Sequence, residues 1–83
     1  MTKQEIFQIM VAHARDVLPV LRDHEFQYDD ALESLGANSM DRADITMMTM
    51  ESLSLDIPRI ELFGPENMGQ LTDLLFEKLQ AAR

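Results

Sequence analysis

Leu35-Gly36-Ala37-Asn38-Ser39-Met40-Asp41-Arg42-Ala43-Asp44-Ile45 is a loop that reaches a glycine and then leads directly into an amphipathic helix. Asn38 is a favourable N-cap residue, and Asp41 follows three positions later, so the free amide groups of the first turn gain side-chain acceptors. This spacing places Ser39 in the first turn, at the positive end of the helix dipole. We therefore expect Ser39 to suit a site that carries an anion such as a phosphodiester.

The stretch resembles the carrier-protein motif Gly-x-Asp-Ser-Leu, in which the serine receives a 4'-phosphopantetheine arm from coenzyme A through a phosphopantetheinyl transferase. Here the motif reads Gly36-Ala37-Asn38-Ser39-Met40, so an asparagine replaces the aspartate and a methionine replaces the leucine. The asparagine removes a charge beside the serine, whereas the methionine conserves apolar volume. Residues 28–35 and 55–58 also resemble the family at matching spacing. The resemblance thus covers nearly the whole chain and implies an attachment site at Ser39.

A narrower match is to the free-standing donor acyl carrier proteins of polyketide β-branching cassettes, and it lies in residues 38–44, 47–55 and 57–64. This resemblance implies that an acyltransferase supplies malonyl and that a decarboxylating ketosynthase-like partner leaves acetyl on the arm. A hydroxymethylglutaryl-synthase-like (HMG-synthase-like) enzyme would then join the acetyl group to a polyketide β-ketone. A carrier for a fatty-acid or nonribosomal peptide pathway is the alternative within the family.

Length and composition limit the classes of function. The 83 residues suffice for one domain, residues 1–83, with a modest core. With no cysteine and two separate histidines, we expect neither a disulfide nor a metal site, so any thiol must come from a cofactor. A net charge of -8 disfavours nucleic acid and anionic membranes and favours partners with basic surfaces. The amino terminus lacks signal-peptide features, so we expect a cytoplasmic location, and the charge and small size of the chain favour a monomer.

Hydrophobic periodicity predicts an all-α fold of three longer helices plus one short helix, with a long loop between the first two. The family resemblance implies that these helices form a four-helix carrier-protein bundle. We expect the helices at Lys3 to Val17 or Leu18, Ser39 to Ser54, Arg59 to Phe63, and from Met68 to Gln80 or Ala81. Capping signals begin the first and last helices, at Thr2 with Glu5 and at Asn67 with Gln70. We expect the long loop to be held to the core by Val20, Leu21, Phe26, Leu32 and Leu35, and the mouth of the bundle to be covered by Ile60 or Phe63.

The second helix has apolar residues on more than one side. We place Ile45, Thr49 and Leu53 against the core and much of the methionine face towards partners, because Ser39 must be accessible and methionine adapts to several surfaces. A methionine stripe at helical spacing is also typical of a core, and periodicity alone leaves both interpretations open. The predicted partner-binding residues are Asn38, Met40, Asp41, Arg42, Ala43, Asp44, Met47, Met48, Met50 and Glu51. Asp41, Asp44 and Glu51 would form an acidic ring around this face, and Arg42, which interrupts the ring, would repel a basic patch on a wrong partner.

Two other classes of function compete with a carrier. An enzyme would need a base beside Ser39, but His13 and His24 belong to another helix and a loop, with no acidic partner at a diagnostic spacing. We therefore expect no catalytic activity of the chain itself. An unmodified helical module that binds one partner is the second competitor. Phosphopantetheinylation separates that module from a carrier.

Overall fold

The computed structural model describes residues 1–82, which contain three α-helices: α1 at Lys3–Val17, α2 at Ser39–Ser52 and α3 at Met68–Ala81. Two single 3₁₀ turns lie between them, the first at Pro19–Leu21 and the second at Arg59–Leu62. Helix α1 packs against both α2 and α3, and the second 3₁₀ turn packs against α3. The predicted all-α fold is confirmed. The first 3₁₀ turn was not predicted, and α2 is two residues shorter than expected.

Helix α1 supplies the centre of the core. The hydroxyl of Thr2 accepts a 3.1 Å hydrogen bond from the Glu5 amide, and the Glu5 carboxylate accepts a 2.8 Å bond from the Thr2 amide, so the predicted capping box begins the helix. One face is then buried along its length, at Ile6, Phe7, Met10, Val11 and Ala14. Burial of this stripe between the other two helices supplies the main apolar stabilisation.

The inner faces of α2 and α3 complete the core. Ile45 and Thr49 of α2 are fully buried and Leu53 nearly so, as predicted. The Thr49 hydroxyl donates a 2.7 Å bond to the Ile45 carbonyl, which satisfies its polar group inside the core. Met68 and Leu75 of α3 are buried on the facing side. The opposite faces of both helices are left for solvent or partners.

The long loop between α1 and α2 is ordered by a local turn. The Ala37 amide donates to the Leu32 carbonyl at 3.0 Å and the Gly36 amide donates to the Glu33 carbonyl at 3.1 Å, the pair of bonds that defines a Schellman motif. Gly36 has a φ of +102°, which a residue with a side chain rarely adopts. Leu32 and Ala37 are both buried, so the turn fixes the direction in which the chain enters α2.

Two expectations about apolar anchors were wrong. Val20 is 85% exposed, because the first 3₁₀ turn directs the neighbouring Leu21 inward instead. Ile60 and Phe63 do not cover the bundle and are 68% and 66% exposed. Leu62 is the buried residue of this turn and packs on the core, whereas Phe63 is the extended residue that ends the turn.

A second Schellman motif ends α2. The Leu55 amide donates to the Met50 carbonyl at 2.9 Å, and the Ser54 amide donates to the Glu51 carbonyl at 3.0 Å. Ser54 occupies the left-handed position with a φ of +53°, where glycine is the usual residue. Leu55 and Met50 are both buried, which is the apolar contact that accompanies this motif. No helix in residues 1–82 has the length and apolar character needed to cross a bilayer.

Candidate functional site

Ser39 is the first residue of α2 and is exposed. The side-chain oxygen of Asn38 accepts a 2.8 Å bond from the Asp41 amide, and the Asp41 carboxylate accepts a 3.1 Å bond from the Asn38 amide. This capping box confirms the predicted start of the helix and satisfies the third amide of its first turn. The amides of Ser39 and Met40 precede the first intrahelical hydrogen bond, so they face outward with the positive end of the dipole.

Ser39 lines an open groove of about 940 Å³. Its walls are the first turns of α2, the loop at residues 31–34, the second 3₁₀ turn and the start of α3. The lining mixes apolar side chains such as Leu62, Phe63 and Leu71 with four ionisable ones, which are Glu33, Arg42, Arg59 and Glu66. The volume lies within the range of clefts that hold small molecules, roughly 300 to 1,000 Å³. The groove can therefore accept a chain attached to the serine.

Arg42 is held beside the serine rather than free in solvent. Its guanidinium lies 3.1 Å from a carboxylate oxygen of Glu33, and its Nε donates to the Asn38 carbonyl at 3.4 Å. Both side chains of this ion pair are substantially exposed. The ion pair links α2 to the loop that forms the facing wall of the groove. Glu33 also compensates the positive charge of Arg42, which was expected to repel basic patches on partners.

The methionine face of α2 divides into an exposed part and a buried part. Met40 and Met47 are 73% and 50% exposed, whereas Met48 is half-buried. Met50 is only 8% exposed and packs in the core, which corrects its assignment to the partner-binding surface. Its burial follows from the Schellman motif, which folds Leu55 back onto it.

The other residues predicted to bind partners surround Ser39 on the outer side of α2. Asp44 and Glu51 are exposed, as is the cap residue Asn38, whereas Asp41, Arg42 and Ala43 are half-buried. Met40, Asp44, Met47 and Glu51 are separated by four, three and four positions, so they form one exposed stripe of the helix. We call these four residues the α2 stripe.

Sequence reasoning missed the second 3₁₀ turn as part of this surface. Arg59 and Phe63 line the groove together with Ser39, and Ile60 is exposed three residues before Phe63. The sequence signal was the run of apolar residues at 60, 62 and 63. In a turn of four residues, these side chains cannot all reach the core. The groove and the exposed side chains of Ile60 and Phe63 therefore extend the surface beyond α2.

Neither histidine lines the groove with Ser39. The Nε2 atom of His13 lies 2.7 Å from the Ser52 hydroxyl, which ties α1 to the end of α2. The Nε2 atom of His24 lies 2.9 Å from the Asp30 carboxylate, a pairing that sequence spacing did not reveal. A hydrogen bond from the Gln27 amide, reinforced by His24, holds the pKa of Asp30 below its ordinary value. His13 therefore links two helices, whereas His24 forms a contact within the long loop.

The residues present fit a phosphopantetheine group. An exposed primary hydroxyl stands at a helix start, where outward amides favour an anion, and the groove beside it provides room for an arm. The chain has no cysteine, so a thiol would have to come from such an arm.

Comparison with known proteins agrees with this geometry. No protein-family model matches the chain. The chain is 49% identical over 82 residues to the polyketide biosynthesis acyl-carrier-protein AcpK of Bacillus subtilis (strain 168), covering 99% of this chain and 100% of that protein. This chain belongs to the acyl carrier protein family. The family resemblance predicted from residues 36–40 is thereby confirmed.

A solved structure supports the same assignment for this acyl carrier protein. The chain matches a chain from the crystal structure of the curacin biosynthetic pathway HMG synthase in complex with acetyl donor-ACP, with a TM-score of 0.88 and 45% identity. The match covers 90% of this carrier and 96% of that chain. The fold of the carrier is therefore that of a donor carrier whose complex with HMG synthase has been solved.

Proposed function

We propose that this protein carries acyl groups as thioesters on a 4'-phosphopantetheine arm at Ser39 and acts as a donor carrier in polyketide β-branching. The observation that carries the proposal is the exposed serine at the start of α2, opening onto a groove, in a chain of the acyl carrier protein family. Membership of the family supports the role as an acyl carrier, and the geometry supports Ser39 as the attachment point.

The residues around Ser39 would stabilise the phosphodiester of the arm. The amides of residues 39 and 40 point outward at the positive end of α2, and such an arrangement typically contributes about 0.3–1 kcal/mol per negative charge. Asn38 and Asp41 keep this end of the helix ordered through their reciprocal hydrogen bonds. When bound, the arm supplies the thiol that forms the thioester. The chain itself acts as a tether and supplies no catalytic group.

Tethering raises the effective concentration of the acyl group near successive partners. We propose malonyl and acetyl as the acyl groups. The partners would be an acyltransferase, a decarboxylating ketosynthase-like enzyme and an HMG-synthase-like enzyme, besides the phosphopantetheinyl transferase. Support comes from the two relatives: one is a carrier of polyketide biosynthesis and the other is an acetyl donor carrier in complex with HMG synthase.

The α2 stripe is the proposed docking surface. It alternates exposed methionines with exposed carboxylates along one line that starts next to Ser39. Flexible thioethers suit an apolar socket, and the carboxylates suit a basic rim around that socket. Ile60 and Phe63 extend the apolar part of this surface on the second 3₁₀ turn. The other predicted partner-binding residues surround the stripe, so they would contact a partner only at the edges of this surface. They are the half-buried residues Asp41, Arg42, Ala43 and Met48 and the cap residue Asn38.

The intact mass of the purified protein tests the proposal. The protein is incubated with coenzyme A and a broad-specificity phosphopantetheinyl transferase, alongside the Ser39→Ala variant. We expect one phosphopantetheine on the parent and none on the variant, with equal helicity and thermal stability of the two proteins, since a surface hydroxyl contributes little to folding.

Failure to load with several transferases that modify a control carrier would contradict the proposal and support an unmodified interaction module. Transfer of acetyl from the loaded protein to an HMG-synthase-like enzyme then tests the pathway. Transfer only to a fatty-acid or nonribosomal peptide enzyme would contradict the β-branching role.

A further inference from the structure

The groove beside Ser39 has a local charge balance unlike that of the rest of the protein. The whole chain has a net charge of -8, yet the groove is lined by two arginines and two glutamates, Arg42, Arg59, Glu33 and Glu66. Glu33 and Arg42 compensate each other in the 3.1 Å ion pair described above. The remaining charges in the groove are those of Arg59 and Glu66.

Of the two arginines that line the groove, Arg59 is the one without an ion pair, a state that it shares elsewhere in residues 1–82 with the exposed Arg22. Lys3, Arg42 and Lys78 each form an ion pair with a carboxylate, and Arg15 donates to the His24 carbonyl. Within residues 1–82, Arg59 has no carboxylate within ion-pair distance, although it belongs to an acidic protein. It is exposed and begins the second 3₁₀ turn, which is closed by a 3.0 Å hydrogen bond from the Glu61 amide to the Pro58 carbonyl. An exposed guanidinium on a fixed turn is available to bind an anion from the groove.

We infer that Arg59 binds the terminal carboxylate of a dicarboxylic acyl group such as malonyl when the arm lies in the groove. This inference rests on the proposed function, because it assumes an arm at Ser39. The planar fork of a guanidinium matches a carboxylate with two parallel hydrogen bonds. The apolar residues of the groove, including Leu62 and Leu71, would accompany the uncharged part of the arm.

The phosphodiester of the arm is a second anion, but it belongs to a different part of the groove. It would be attached to Ser39 at the start of α2, where the outward amides and Arg42 would lie near it. Arg59 lies on another element, the second 3₁₀ turn. Arg59 is therefore assigned to the far end of the arm, where malonyl has a charge and acetyl has none. The malonyl form stays in the groove, and the acetyl form is free to leave it.

Four forms of the protein test this assignment: apo, holo, acetyl-loaded and malonyl-loaded, prepared with the transferase and the matching coenzyme A derivatives. Their ¹H–¹⁵N spectra report the Nε–Hε resonance of Arg59 and the amides of residues 59–64. We expect these resonances to move in the malonyl form and to stay alike in the holo and acetyl forms. Movement already in the holo form would assign Arg59 to the phosphodiester and overturn the inference.

The rate of thioester hydrolysis, followed by intact mass, gives a second measurement. Arg59→Gln removes the proposed contact, and Arg22→Gln is the matched control because it removes the same charge from an exposed residue elsewhere. We expect Arg59→Gln to speed malonyl hydrolysis about two- to fivefold, the effect of losing one exposed ion pair. Arg22→Gln should leave the rate unchanged, and acetyl hydrolysis should be equal in all three proteins.

Equal malonyl hydrolysis in the parent and Arg59→Gln, or an equal acceleration by Arg22→Gln, would overturn the inference. A failure to load any acyl group would instead overturn the proposed function. The two failures are therefore distinguishable in the same mass spectra.

Discussion

The carbonyl oxygen of Tyr28 accepts a 2.7 Å hydrogen bond from the amide of Gly69. The neighbouring amide of Met68 donates to the Asp30 carbonyl at 2.9 Å, and the Asn67 side chain accepts from the Gln70 amide at 2.8 Å. These are the first three amides of α3, which have no acceptor within their own helix. The long loop thus caps α3 with its backbone, and this attachment holds one wall of the groove against another.

Gly69→Ala tests how closely the loop at Tyr28 approaches α3. A Cβ atom at residue 69 would lie 2.5 Å from Cδ2 and 2.6 Å from the carbonyl oxygen of Tyr28. The carbonyl cannot withdraw without breaking its own hydrogen bond to residue 69. We therefore expect Gly69→Ala to lower the free energy of unfolding by about 1–3 kcal/mol, despite the better helix propensity of alanine. Urea denaturation followed by far-UV circular dichroism measures the change.

Glu77→Ala is the control for Gly69→Ala, because it places an alanine at an exposed position of the same helix. Its free energy of unfolding should stay within about 0.5 kcal/mol of the parent value. If Gly69→Ala proves as stable as this control, the loop does not approach α3 as closely as the structure shows.

Ser54→Gly should stabilise the protein. Ser54 has a φ of +53° at the end of α2, where a side chain is unfavourable and glycine is the preferred residue. The Schellman hydrogen bonds are made by backbone groups, so the substitution keeps them. We expect a gain of about 0.5–1 kcal/mol in the free energy of unfolding, seen as a higher urea midpoint with an unchanged slope. Ser54→Ala keeps the Cβ and should show no gain; equal midpoints for the two variants would refute the explanation.

Local signals allowed much of the fold to be predicted. Each α-helix begins at a side-chain cap whose partners lie three residues away, at Thr2, Asn38 and Asn67. The position of Ser39 follows from the second of these caps. The family resemblance rests on the same residues, so the candidate site and the start of α2 could be predicted together.

The remaining features depend on contacts that leave little trace in sequence. Met50 is buried because the chain turns back through Ser54, and no glycine marks that turn. The backbone bonds that join the loop to α3 require no particular side chain. Their one signal is Gly69, an isolated glycine inside a helical pattern, which often indicates a close approach. The groove arises from four separate elements and could be seen only after folding.

Asp30 should make stability depend on pH. The Gln27 amide donates a 2.8 Å hydrogen bond to its carboxylate, and this bond, with His24, lowers the pKa of Asp30 from the ordinary 3.8. A carboxyl group whose pKa is lower in the folded state stabilises the fold above its unfolded pKa, and the contribution disappears as the pH falls through the folded pKa. We expect Asp30→Asn to reduce stability by about 1 kcal/mol at neutral pH. The difference from the parent should shrink below pH 3.8.

Urea denaturation at several pH values measures the effect of Asp30→Asn, with Asp29→Asn as the control at an exposed neighbouring carboxylate. The control should differ little from the parent at any pH. If the loss caused by Asp30→Asn is constant from neutral to acidic pH, the side chain acts through hydrogen-bond geometry alone and its charge is irrelevant.

Met47 and Met50 belong to the same helix but should respond oppositely to a charge. Met47 is 50% exposed on the α2 stripe, so Met47→Glu should leave the free energy of unfolding within about 0.5 kcal/mol of the parent. It should weaken acyl transfer to an HMG-synthase-like partner, because the partner's apolar socket would have to accept a carboxylate. Met50 is 8% exposed in the core, so Met50→Glu should destabilise the protein by about 3 kcal/mol or more. Thermal denaturation of both variants, with transfer assays on folded Met47→Glu, separates docking from packing. Unfolding of Met47→Glu would place that side chain in the core, and normal transfer by a folded Met47→Glu would exclude it from the docking surface.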